Sequence, residues 1–79
     1  MKEKLLFTDA EIFMFNVKWL REKHGLSKKE MAKILGISVG TLNKIEKSEL
    51  PPRLSVEIVF NIYQHFGIHP KKQFVKLTE

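Results

Sequence analysis

The sequence predicts an all-α domain of five short helices, and three observations carry that prediction. Two serine-led amphipathic segments, 28–35 and 39–47, flank the tripeptide Gly36-Ile37-Ser38. Longer segments on either side of them, 9–24 and 55–66, repeat apolar residues at helical spacing. No run alternates apolar and polar residues far enough to make a strand compelling.

The first helix is expected to start after Thr8, which forms a capping box with Glu11, and to stop at Gly25. It carries two apolar stripes about a third of a turn apart: Phe13, Val17 and Leu20, and then Ile12, Phe15 and Trp19. One stripe should pack on helices 2 and 3, the other on helices 4 and 5. The second helix, Lys28 to Leu35, is opened by Ser27 with Glu30 three residues on, a second capping box. Met31, Ala32, Ile34 and Leu35 give it a narrow apolar face, and Gly36 ends it, because glycine takes the left-handed conformation without a Cβ clash. Ile37 plugs the turn. Ser38 then caps a third helix, Val39 to Lys47, which turns Leu42 and Ile45 inward. Small Ala32 suits a place where the third helix crosses closely over the second. Helices 2 and 3 thus make a helix-turn-helix, its core at 28–47, with the second member presented outward.

After a loop from Ser48 to Leu54, where Pro51-Pro52 forbids helix, a fourth helix runs from Ser55 to Phe66-Gly67. Its apolar residues Val56, Val59, Phe60, Ile62, Tyr63 and Phe66 should answer helix 1. His69-Pro70 opens a short fifth helix with proline at its favoured first position. Leu5-Leu6-Phe7 near one end, and Phe74, Val75 and Leu77 near the other, add apolar surface beyond what one small core needs.

Composition narrows the function. Seventy-nine residues make one domain, 1–79, which buries only about 60–65% of its unfolded surface. The absence of cysteine excludes a disulfide framework and a thiolate zinc site. MKEKLLF has too short an apolar run for a signal peptide and nothing approaches a membrane span, so a cytoplasmic location is expected. Between Lys18 and Arg53 stand nine basic residues against four acidic ones, so the whole net charge of +5 lies on the helix-turn-helix region. That clustering favours a polyanionic partner over lysines scattered for solubility. The three histidines, His24, His65 and His69, fall at helix ends and are spaced unlike metal ligands. No nucleophile–base set, carboxylate pair or phosphate loop stands out, and no enzyme, metal or cofactor is expected.

Between Val17 and Phe74 the chain resembles the phage-repressor and Cro type (Xre-like) of helix-turn-helix DNA-binding domain. The resemblance rests on Arg21, Gly25-Leu26-Ser27, Ala32, Leu35-Gly36-Ile37-Ser38, Ile45-Glu46 and Phe66-Gly67-Ile68, in that order and spacing. It implies a compact five-helix, lambda-repressor-like fold that binds double-stranded DNA and regulates transcription. The outward face of helix 3 would then enter the major groove, with the positions of Val39, Gly40, Asn43 and Lys44 meeting base edges. Lys44 can donate to guanine O6 and N7, and Asn43 can pair with adenine or hold a phosphate. Val39 can touch a thymine methyl. Gly40 departs from the family and costs about 1 kcal/mol of helix propensity relative to alanine; close backbone approach to DNA and simple drift explain it equally.

Lys28 and Lys29 sit in the first turn of helix 2, where free N–H groups already favour a phosphate. Relatives usually carry glutamine at the position of Lys28. Ser38, Thr41, Lys47 and Arg53 complete the expected phosphate contacts. The resemblance also implies a bridge between Arg21 and Glu46 that positions helix 3, and a proline loop about two residues longer than usual.

A symmetric homodimer on a palindromic operator is expected, because one recognition helix spans too few base pairs for useful specificity. Its surface would come from Leu5, Leu6, Phe7, the end of helix 4, Phe74 and Leu77. With no separate sensing domain expected, control would come from concentration, proteolysis or a partner protein. Similar short proteins serve as repressors and regulators of phages, mobile elements and restriction systems, or as antitoxins. The rival reading is a protein-interaction module or antitoxin-like partner that kept the fold with weak DNA readout, favoured by the poor hydrogen-bonding of Val39 and Gly40.

Overall fold

A computed structural model describes residues 9–49 and 56–77. The expected Thr8 cap, the Leu5-Leu6-Phe7 segment, Pro51-Pro52 and Arg53 lie outside those residues. The described chain forms five helices: α1 (Asp9–Lys23), α2 (Lys28–Leu35), α3 (Val39–Glu46), α4 (Val56–Phe66) and α5 (Pro70–Gln73). Among the described residues there is no strand.

Local chemistry sets the ends of the central helices. Ser27 accepts the Glu30 N–H at 3.0 Å while the Glu30 carboxylate takes the Ser27 N–H at 2.8 Å, so two orphan donors at the start of α2 are satisfied. Gly36 ends the helix in the left-handed conformation, φ +74. A second device backs it up: Asn61 of α4 donates its side-chain amide to the Leu35 carbonyl at 3.0 Å. That amide would lie only 3.3 Å from a Cβ at position 36, so α4 closes down on the turn from above.

One apolar core gathers the helices. Phe13, Met14, Val17 and Leu20 of α1 meet Met31, Ala32 and Leu35 of α2, Leu42 and Ile45 of α3, and Ile58 and Ile62 of α4. Helix α1 packs on α3 and α5, α2 packs on α3 and α4, and α4 packs on α5. The recognition segment is therefore clamped between the first two helices rather than carried on a loop.

Three apolar assignments change in the structure. On α4, Ile58 and Ile62 face the core, whereas Val56, Phe60 and Tyr63 face outward, Phe60 56% exposed. The helix is apolar nearly all round, so spacing alone does not choose the buried face. On α1, the stripe of Ile12, Phe15 and Trp19 is not buried beneath α4 and α5. Phe15 is exposed, Ile12 and Trp19 are half-buried, and the ammonium groups of Lys76 and Lys23 lie 5.4 Å and 5.2 Å from the Phe15 and Trp19 rings. Finally, Phe74 is not surplus. Its ring stacks on Phe13 at 5.2 Å and closes the core beneath α5.

Candidate nucleic-acid interface

Helix α3 is held by its two inward residues. Leu42 and Ile45 are wholly buried, three residues apart, so they fix the rotation of the helix about its axis. Val39, Gly40, Lys44 and Lys47 are consequently exposed, and Thr41 and Asn43 are half-buried at the margins. Ser38 caps the helix: its hydroxyl accepts the Thr41 N–H at 3.1 Å and donates to Thr41 Oγ1 at 3.0 Å. That leaves the Thr41 hydroxyl proton free to donate elsewhere. At Gly40 an added Cβ would meet only Ser38 Oγ at 3.8 Å, so nothing within the chain demands glycine there.

Lys28 and Lys29 stand exposed in the first turn of α2. Lys28 reaches across to the recognition helix, its ammonium donating to Asn43 Oδ1 at 2.8 Å. Sequence reasoning treated these two residues separately. Only the angle between α2 and α3 brings positions 28 and 43 together, and no local spacing reports that angle.

Arg21 lies under this surface. Its Nε and Nη2 donate to the two oxygens of Glu46 at 2.6 Å and 3.1 Å, and Nη1 donates to the Leu26 carbonyl at 3.1 Å. The planar guanidinium thereby ties the end of α1, the α1–α2 turn and the last turn of α3 together. The Glu46 side chain is only 4% exposed, so its charge is answered inside the protein and withheld from the surface. The hydrogen bonding that Arg21 donates to Glu46 holds the guanidinium pKa above its usual value, against an opposing effect of burial.

The structure thus brings together Lys28 with Asn43, Ser38 with Thr41, and Arg21 with Glu46. Val39, Gly40, Lys29, Lys44 and Lys47 are left open to solvent, and Arg53 lies outside the described residues. The histidines do other work. The rings of His24 and His65 lie 5.0 Å and 4.8 Å from Phe66, and His69 caps α5 by accepting the Lys71 N–H at 3.1 Å. Among the described residues no three His, Asp or Glu side chains are grouped to hold a metal ion. What the α2–α3 surface offers is a set of ammonium, amide and hydroxyl donors around a short apolar edge, the chemistry that reads an acceptor-rich polyanion.

Residues 17–72 match the model of the helix-turn-helix family HTH_3. The chain belongs to that family. It is also similar to an uncharacterised HTH-type transcriptional regulator of Methanocaldococcus jannaschii, with 34% identity over 59 residues, covering 75% of this chain and 86% of that one. No solved structure matches significantly. As a member of the Cro/CI-type, Xre-like helix-turn-helix proteins, this chain is a DNA-binding transcriptional regulator, and α2 and α3 are its helix-turn-helix.

Proposed function

We propose that this helix-turn-helix regulator inserts α3 into the major groove of double-stranded DNA and acts as a repressor by occupying its operator. Val39, Gly40, Asn43 and Lys44 face base edges, while Lys28, Lys29, Thr41, Lys47 and Arg53 track the phosphates. Ser38 serves that backbone contact through Thr41, since its own hydroxyl proton is already given to Thr41 Oγ1. The observation that carries the reading is the division of α3 itself. Two of its residues are wholly buried, and the opposite side leaves Val39, Gly40 and Lys44 exposed, with Asn43 half-buried beside them.

The regulator works as a homodimer on a palindromic operator. Two copies related by a two-fold axis read half-sites about 34–36 Å apart. Support comes from the outward face of α4, where Val56, Phe60 and Tyr63 are 77%, 56% and 43% exposed at successive helical turns. Contiguous apolar exposure of this kind marks a contact surface. Phe74 and Leu77 are assigned elsewhere, to the core of their own chain. A cytoplasmic location accompanies this role, and among the described residues no helix is long and apolar enough to cross a membrane.

Selection of bound sites from a random duplex library, followed by titration of affinity against salt, tests the proposal. A palindromic consensus and a log–log slope of about −0.9 per phosphate neutralised are expected. Failure to bind any duplex in a salt-dependent way would leave only the protein-interaction reading.

A further inference from the structure

The hydrogen bond between Lys28 and Asn43 says more about sequence preference than either residue does alone. An ammonium has three donors and no acceptor, so only the amide oxygen of Asn43 can face it. The 2.8 Å contact from Lys28 Nζ to Asn43 Oδ1 therefore fixes which way the amide is turned. The NH₂ group points the other way, off the far side of the planar amide.

A free asparagine recognises adenine because it offers one acceptor and one donor, matching the N6 amino group and N7. Here one of the two lone pairs of that oxygen is taken by a cation, whose charge repels a second donor approaching the other. What the pair still presents is donors only: the Asn43 amide hydrogens and the two remaining hydrogens of the Lys28 ammonium. Guanine shows two acceptors in the major groove, N7 and O6. We propose that Lys28 and Asn43 act as one unit that selects guanine over adenine, making Lys28 a positioning residue for base readout as well as a neighbour of the phosphates. This rests on the reading that α3 enters the major groove. Exposed Lys44, also a pure donor, extends the same preference one residue along the helix.

The test compares duplexes carrying G·C or A·T at each half-site position for the full chain, Lys28→Met and Asn43→Ala, with circular dichroism confirming that each variant is folded. The native protein should prefer guanine at one position by about tenfold or more, the usual worth of a good base contact. Asn43→Ala should flatten that position. Lys28→Met frees the amide oxygen and should move the preference there toward adenine, leaving other positions unchanged. Replacing that guanine with 7-deazaguanine should weaken the native protein and not Asn43→Ala. If Lys28→Met instead weakens all duplexes equally, Lys28 is a phosphate contact only and the inference fails while the proposed function stands. A native protein that binds no duplex in a salt-dependent way removes the proposed function and this inference together.

Discussion

Asn16 on α1 holds the chain that follows α5 from inside the domain. Its amide donates to the main-chain carbonyls of Gln73 and Val75 at 2.7 Å and 2.9 Å, and its oxygen accepts the Leu77 N–H at 2.9 Å. Gln73 continues the network, donating to the carbonyls of Val59 and Ile68 at 2.9 Å and 3.0 Å. Both side chains are almost wholly buried. Between them they bond backbone groups of α4, the α4–α5 turn and the tail, and those of Ile68, Val75 and Leu77 lie outside any regular helix that could pair them.

Asn16→Leu keeps the branched heavy-atom shape and loses all three bonds. Two carbonyls and one N–H are then stranded in partly buried positions, each costing about 1–3 kcal/mol. We expect a loss of about 3 kcal/mol or more in urea unfolding, a large share of the stability of so small a domain. A loss below about 1 kcal/mol would mean that the tail is not held through Asn16.

How legible this architecture is from sequence depends on which residues are asked. Ser27 with Glu30, Gly36 and Ser38 delimit α2 and α3, because capping chemistry is local and three residues suffice to write it. The buried face of α4 is not legible, since Val56, Phe60 and Tyr63 obey the same helical spacing as Ile58 and Ile62. Nothing in the local sequence singles out Asn16, whose partners stand 57, 59 and 61 positions away. At the interface, the residue types on α3 follow from a helical wheel, while the Lys28–Asn43 contact needs the crossing of α2 and α3. The end of α3 is partly hidden for another reason: Ser48 takes a left-handed conformation, φ +60, at a position where glycine would have signalled the stop.

The Arg21–Glu46 pair invites a double-mutant cycle. Exposed pairs are worth about 0–1 kcal/mol, whereas removing one partner of a buried pair costs about 3–5 kcal/mol. With the Glu46 side chain 4% exposed, Glu46→Ala should fall between those ranges, and the coupling with Arg21→Ala should exceed that of an exposed pair. Because the folded pKa of Arg21 is raised, its contribution is fully present below the ordinary guanidinium value and declines only at still higher pH. A cycle in urea giving zero coupling would show that the two side chains stabilise the fold independently.

Lys44 and Lys29 should separate base reading from phosphate anchoring. Lys44→Ala is expected to cost about 1–3 kcal/mol on the selected site and relax preference at one base pair. Lys29→Ala should weaken all duplexes alike and reduce the salt slope by about 1. Equal losses from Lys44→Ala on selected and random DNA would reassign it to the backbone.

Gly40 can be tested through two opposing effects. The site has room for a methyl group within the chain, and alanine gains about 1 kcal/mol of helix propensity, so Gly40→Ala should raise the unfolding midpoint. If the helix backbone approaches the bases closely at this point, the same variant should bind its operator less tightly despite being more stable. Greater stability with unchanged affinity would show that the glycine has no role in DNA binding.

The dimer surface gives the last prediction, and the structure decides which phenylalanine to change. Phe74→Asp would bury a carboxylate against Phe13 and should unfold the chain, so monomers obtained that way would say nothing about an interface. Phe60 is 56% exposed on the same outward face as Val56 and Tyr63, where aspartate is solvated in the monomer and repelled in a two-fold contact that brings like surfaces together. Sedimentation of the native chain at micromolar concentration should show twice the chain mass, with Phe60→Asp shifted to the monomer and its unfolding changed by less than about 0.5 kcal/mol per subunit under monomeric conditions. On a palindromic duplex the variant should lose affinity far more than on a single half-site, because what it loses is the linkage between two recognition helices. A native protein that stays monomeric both free and on its selected site would remove α4 from the interface and the two-fold operator from the proposal, while leaving α3 in the groove.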